Sequence, residues 1–118
     1  MSYKYINLQY IESVAGGDKE TIKELYVLFK DQVKEIAGEM KRLHDSKDFY
    51  NLGLLAHKAK SSVAIMGMEE LAALLKRFEL QAKNSEEPEK YSFYIDQYRH
   101  DTAGAVEELE DYLGLKRD

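Results

Sequence analysis

Asp18–His44, "DKETIKELYVLFKDQVKEIAGEMKRLH", is the stretch on which the fold turns. Its apolar residues Ile22, Leu25, Tyr26, Leu28, Phe29, Val33, Ile36, Ala37, Met40 and Leu43 recur every three or four positions. That spacing lines one side of an α-helix, and no period-two alternation competes with it. Asp18 suits the start, because its carboxylate can accept the unpaired backbone N–H groups of a first turn. The stretch reads as one long amphipathic helix, whose apolar stripe has to be buried against other elements.

The rest of the chain supplies those elements. Ile6 to Val14 reads as a short amphipathic helix with Ile6, Tyr10, Ile11 and Val14 on its stripe, ended by Gly16-Gly17. "HDSKD" interrupts the long helix, with Ser46 or Asp48 available to cap the next. A third segment runs from Lys47 to about Met66 and stops at Gly67. A fourth runs from Met68 or Glu69 to about Lys83, with Leu71, Leu74, Leu75 and Phe78 on its stripe. "NSEEPEK" is polar and holds the only proline, Pro88, so it reads as a loop. A last helix from about Tyr91 to Leu113 carries Tyr94, Ile95, Tyr98, Ala105, Val106, Leu109, Tyr112 and Leu113. Gly104 weakens it locally, and "GLKRD" closes the chain. The expectation is an all-α fold: an antiparallel four-helix bundle with a short N-terminal capping helix, residues 1–118 forming one domain.

Composition narrows the function. The chain has no cysteine, which removes disulfides, thiolate catalysis and Cys-ligated zinc. A net charge of -5 argues against nucleic acid as a partner, since phosphates need clustered cations. No run approaches the roughly 18 apolar residues of a membrane span. The opening "MSYKYINLQY" lacks the apolar core of a signal peptide. A cytoplasmic, monomeric protein without a membrane segment is expected.

The unusual chemistry lies in Leu55–Gly67, "LAHKAKSSVAIMG", where a histidine, two lysines and two serines interrupt an apolar helix. At about 100° per residue, Leu52, Leu55, Ala56, Ala59, Val63 and Met66 share the core side, and His57 lies opposite. Lys60 and Ser61 follow at i+3 and i+4, on the histidine's own face. Gly53 and Ala64 are read along the same surface, so that small residues ring the imidazole and leave it open to another protein. Leu54 and Ile65, further round, offer apolar contact area, and Lys58 is either a plain surface charge or part of the same docking face. A neutral imidazole is a nucleophile that can accept a phosphoryl group and pass it on. A cation one turn away, Lys60, is placed to pair with that group.

This pattern resembles the histidine-containing phosphotransfer (HPt) domain. The family's motif, approximately His-x-Leu/Met-Lys-Gly/Ser-Ser-x-x-x-hydrophobic-Gly followed by Leu-x-x-x-Leu and Leu/Phe-Glu, appears as His57, Lys60, Ser61, Ser62, Gly67, Leu71, Leu75 and Phe78-Glu79. "AGGD" at Ala15–Asp18 and Phe29 look like the family's opening helices. The resemblance implies that His57 is the phosphoacceptor and that Lys60 supports the phosphohistidine. It also implies that Glu79 sits near the ring, where it can accept a ring N–H. Ser61 departs from the commoner glycine, and Ala59 from a larger aliphatic residue, which implies a shallower local core. The implied partners are receiver domains of response regulators and hybrid kinases. The cofactor is then a divalent cation, usually magnesium, held by the receiver and not by this chain.

Other readings compete. An exposed histidine is usually a solvated residue, and His44 and His100 have no setting that suggests more. The three histidines fall on different helices without paired spacing, so no metal site is expected. The nine tyrosines follow the apolar stripes and read as core. "VEELEDYLG" reads as a solvated helix face, and Ser62 falls near the buried edge. No acid–base pair or Gly-rich nucleotide loop supports an autonomous enzyme. The main rival is a helical interaction module that has lost phosphotransfer; such relatives typically replace the histidine, and here it is present.

Overall fold

The computed structural model describes residues 3–115. Within that range the chain is all-helical, with α1 Leu8–Val14, α2 Lys19–Asp45, α3 Phe49–Ile65, α4 Glu69–Lys83 and α5 Tyr91–Leu113. A single 3₁₀ turn, Pro88–Lys90, precedes α5. The last three residues of "GLKRD" and the first two of the chain lie outside the described range. Helices α2 to α5 pack in a ring in which each touches two neighbours, and the α3–α4 seam is the most extensive.

The local rules that start and stop these helices follow the sequence closely. Asp18 accepts from the Glu20 backbone N–H at 3.2 Å and from the Thr21 hydroxyl at 2.7 Å. Of the two candidate caps for α3, Asp48 performs the role, accepting from Asn51 N–H at the margin of bonding distance and from its side-chain amide at 2.8 Å. Gly67 sits at φ +70°, left-handed backbone that side chains with a Cβ rarely adopt, and turns the chain from α3 into α4.

The core follows the helical stripes, with Ile22, Ile36, Met40, Leu52, Val63, Leu75, Phe78 and Leu109 all enclosed. Leu28 departs from the expectation. It lies about 120° round the helix from Ile22 and is 58% exposed. Tyr10 and Val14 also leave their expected stripe for solvent, because α1 buries only Ile11. Most of the tyrosines do pack inward. Tyr91 and Tyr94 meet Phe78 with ring centroids 5.5 and 5.1 Å apart. The Tyr91 hydroxyl donates to the carbonyls of Gln81 and Glu86 and so ties down the α4–α5 loop. Tyr98 has no hydrogen-bond partner among the described residues, and burial pushes its phenol above the ordinary range.

Gly104 has a packing role in α5, and the acidic run there departs from its sequence reading. Gly104 makes room for the Tyr5 ring, which a Cβ would overlap. The acidic run is also engaged. Glu108 accepts from the backbone N–H groups of Lys4, Tyr5 and Ile6 at 2.7, 2.8 and 3.0 Å. Glu110 accepts from the Tyr26 hydroxyl at 2.6 Å. That bond, working against burial and aided by Lys30, holds the Glu110 carboxyl below its ordinary range. Asn7 N–H bonds the Met66 carbonyl at 3.0 Å, so the N-terminal segment crosses the α3–α4 turn as a cap.

Glu108→Ala leaves three backbone donors without their acceptor and is expected to cost about 1–3 kcal/mol. Urea unfolding measures the loss, and hydrogen exchange locates it. Exchange at Tyr5 and Ile6 should accelerate selectively; unchanged protection there would contradict the anchoring role.

Candidate functional site

The side chains of interest come from α3 and α4, and the distance between those helices is set by Gly53. The sequence reading placed Gly53 on the open surface beside His57. It is buried in the seam. A Cβ at this position would fall 2.8 Å from Lys83 Cγ, 2.9 Å from the Glu79 carbonyl oxygen and 2.9 Å from the Lys83 backbone nitrogen. Two of those atoms are backbone and cannot swing aside. On the wheel Gly53 sits about 40° from His57, and α4 covers that flank. The glycine therefore permits close helix approach, and provides no access to the ring.

That approach brings Glu79 under the histidine. His57 is 57% exposed at its side chain, and its Nδ1 lies 3.1 Å from Glu79 Oε1. Glu79 itself is 10% exposed, yet it is well partnered. Lys83 donates to its Oε2 at 2.8 Å, and the Lys60 ammonium stands 3.7 Å from Oε1. Burial alone would raise the Glu79 carboxyl. Hydrogen bonds from Lys83 and His57, with their charges, outweigh it and hold the group below the ordinary glutamate range. An ionised carboxylate has only acceptors, so the contact requires the ring proton on Nδ1. In the neutral ring the lone pair then belongs to Nε2.

The remaining residues divide by environment. Leu54 and Ile65 are 43% and 42% exposed. Lys58, Ser61 and Ala64 are exposed on the same helix, and Ser61 donates weakly to the His57 carbonyl at 3.4 Å. Ser62 is buried and donates to Gln32 Oε1 at 2.9 Å, joining α3 to α2. Ala59 is fully enclosed. His100 packs elsewhere, edge-on to Tyr5.

Sequence reasoning missed Lys83, although its i+4 spacing from Glu79 on one helix was available as a signal. It missed Tyr50 as well, two turns before His57 on the same face and 58% exposed. Nor did it anticipate the shallow notch of about 220 Å³ that Tyr10 forms with Ala64, Gly67 and Ala72. Tyr10 comes from a distant segment, so no local spacing announces that notch.

The cluster sets one carboxylate against an imidazole and two ammonium groups. Its one carboxylate is already matched by two ammonium groups, so the donor set does not suit a divalent cation.

Because the Glu79 carboxyl ionises below its unfolded counterpart, its contribution to stability is complete above the ordinary value of 4.5. It is lost as pH falls through the folded value. Glu79→Gln is expected to be about 1–3 kcal/mol less stable at pH 7. Urea midpoints of the two proteins should converge in acid; a gap that persisted there would place the effect in packing and not in charge.

A family model described as Hpt domain matches residues 24–114. No curated protein and no solved structure matches the chain.

Proposed function

The chain belongs to the Hpt domain family, and we propose that it carries a phosphoryl group on Nε2 of His57 between receiver-domain aspartates. Hpt domains are phosphocarriers, not enzymes, and generally interact with receiver domains of two-component systems. The observation that supports this reading most strongly is the exposed ring whose Nδ1 is engaged by a buried carboxylate.

In the inward step the Nε2 lone pair attacks phosphorus of the receiver's aspartyl phosphate. The N–P bond forms as the P–O bond breaks, and the aspartate leaves as a carboxylate. No proton has to move, because Nδ1–H is retained and the ring becomes a phosphorylated imidazolium. Glu79 balances that positive charge. Lys60, partly exposed at the i+3 position, pairs with the phosphoryl oxygens. The outward step is the reverse, with a second receiver's carboxylate attacking phosphorus. A divalent cation, magnesium in this family, belongs to the receiver.

Leu54, Lys58, Ser61, Ala64 and Ile65 form the docking face around the ring. Gly53 drops out of that set because it is buried. The helical scaffold holds the ring in place better than a loop would. Among the described residues no helix is long and apolar enough to cross a membrane. We assign the protein to the cytoplasm, where receiver domains reside, and expect it to act as a monomer.

His57→Gln is expected to retain the helical fold and to lose phosphorylation by every receiver. Ala64→Arg, placed about 10 Å along the helix from His57, should slow transfer from receivers at least tenfold. It should leave labelling by the small donor phosphoramidate intact. Intact mass at alkaline pH reads both. A phosphorylated His57→Gln protein would refute the assignment, and normal receiver transfer to Ala64→Arg would move the docking face elsewhere.

A further inference from the structure

Lys83 holds a place in the cluster that the phosphocarrier reading does not use. Its Cγ is the atom nearest a Cβ at Gly53, so its aliphatic stem lies across the glycine in the α3–α4 seam. From there the ammonium turns back along its own helix to Glu79 Oε2, at 2.8 Å, with the side chain 31% exposed. The stem is packed and the charged end is directed. That combination distinguishes this pair from the two-sided surface pairs elsewhere, such as Lys41–Asp45, whose partners are 67% and 61% exposed.

We infer that Lys83 is a positioning residue for His57, acting through Glu79. Two consequences follow from the geometry. The first is orientation: with Oε2 taken by Lys83, the carboxylate cannot rotate freely, and Oε1 is presented to Nδ1. The second is charge. A buried carboxylate alone beside an imidazole would favour the imidazolium, which has no lone pair to offer a phosphoryl group. Lys83 and Lys60 together offset that pull, so the ring keeps its hydrogen bond to Glu79 without having to be charged.

The charged residues within a turn of His57 and Glu79 are Lys58 and Lys60 on α3 and Lys76, Arg77 and Lys83 on α4. α2, the other helix packed on α3, presents neutral Gln32 to Ser62. Lys58, Lys76 and Arg77 make no ion pair among the described residues, so Lys83 is the cation in direct contact with Oε2.

The test is ¹⁵N NMR of the His57 ring, which reads tautomer and titration with no phosphoryl donor present. Lys83→Met keeps the stem over Gly53 and removes the charge. Its ring should lose part of the Nδ1–H tautomer to Nε2–H, because the carboxylate is no longer held with Oε1 toward Nδ1. Lys83→Arg should restore the native population. A native ring protonated on Nε2, or a Lys83→Met ring with the native tautomer population, would overturn the inference. Should Lys83→Met fold poorly, the native protein still decides. The Lys83 ammonium protons should exchange more slowly with water than those of exposed Lys58, and equal rates would count against the clamp. The inference rests on His57 as the phosphoacceptor, but the two can fail separately. Loss of phosphorylation competence with this ring chemistry intact would remove the carrier reading alone.

Discussion

The α3–α4 seam closes to a distance that only a residue without a side chain permits, and the candidate site is a consequence of that closure. Gly53 brings the backbone of Glu79 and Lys83 against α3 one turn before His57. At a wider separation the glutamate would not reach the ring. A glycine inside a helix costs about 1 kcal/mol relative to alanine, and the close approach explains why that cost is carried here. The buried carboxylate that results would be costly if isolated. It is tolerated because one histidine and two lysines surround it.

The two ends of the bundle keep this arrangement in register. At one end Asn7 and Gly67 interlock over the α3–α4 turn, and Glu108 fastens the N-terminal segment by its backbone. At the other, Tyr91 bonds two carbonyls across the α4–α5 loop, just beyond Lys83. A rigid pair of helices matters for phosphotransfer because geometry, not an added catalytic group, is what such a carrier contributes.

Much of the fold was legible because helical periodicity is local. The α5 bounds and the Asp18 and Gly67 boundaries required no tertiary information. Leu28 was misplaced by counting every apolar residue as part of one stripe, although its angle already set it aside. Tyr10, Gly104 and Glu108 were illegible for another reason. Their environments are made by segments far apart in the chain, and Glu108 meets its partners across about a hundred residues. The site divides in the same way. His57 and Lys60 could be read from one helix and Glu79 from the motif, whereas Gly53 could not. A glycine on a wheel looks identical whether it faces solvent or a neighbouring backbone, and only the position of α4 decides between them.

Glu79 makes the two ring nitrogens inequivalent, and the choice of Nε2 as the reacting atom depends on that inequivalence. The most direct measurement is ¹H–¹⁵N correlation NMR of the phosphorylated protein, with phosphorus coupling used to identify the bonded nitrogen. Phosphorus is expected on Nε2 of His57 with the proton still on Nδ1. Phosphorus on Nδ1, or on any residue other than His57, would contradict it.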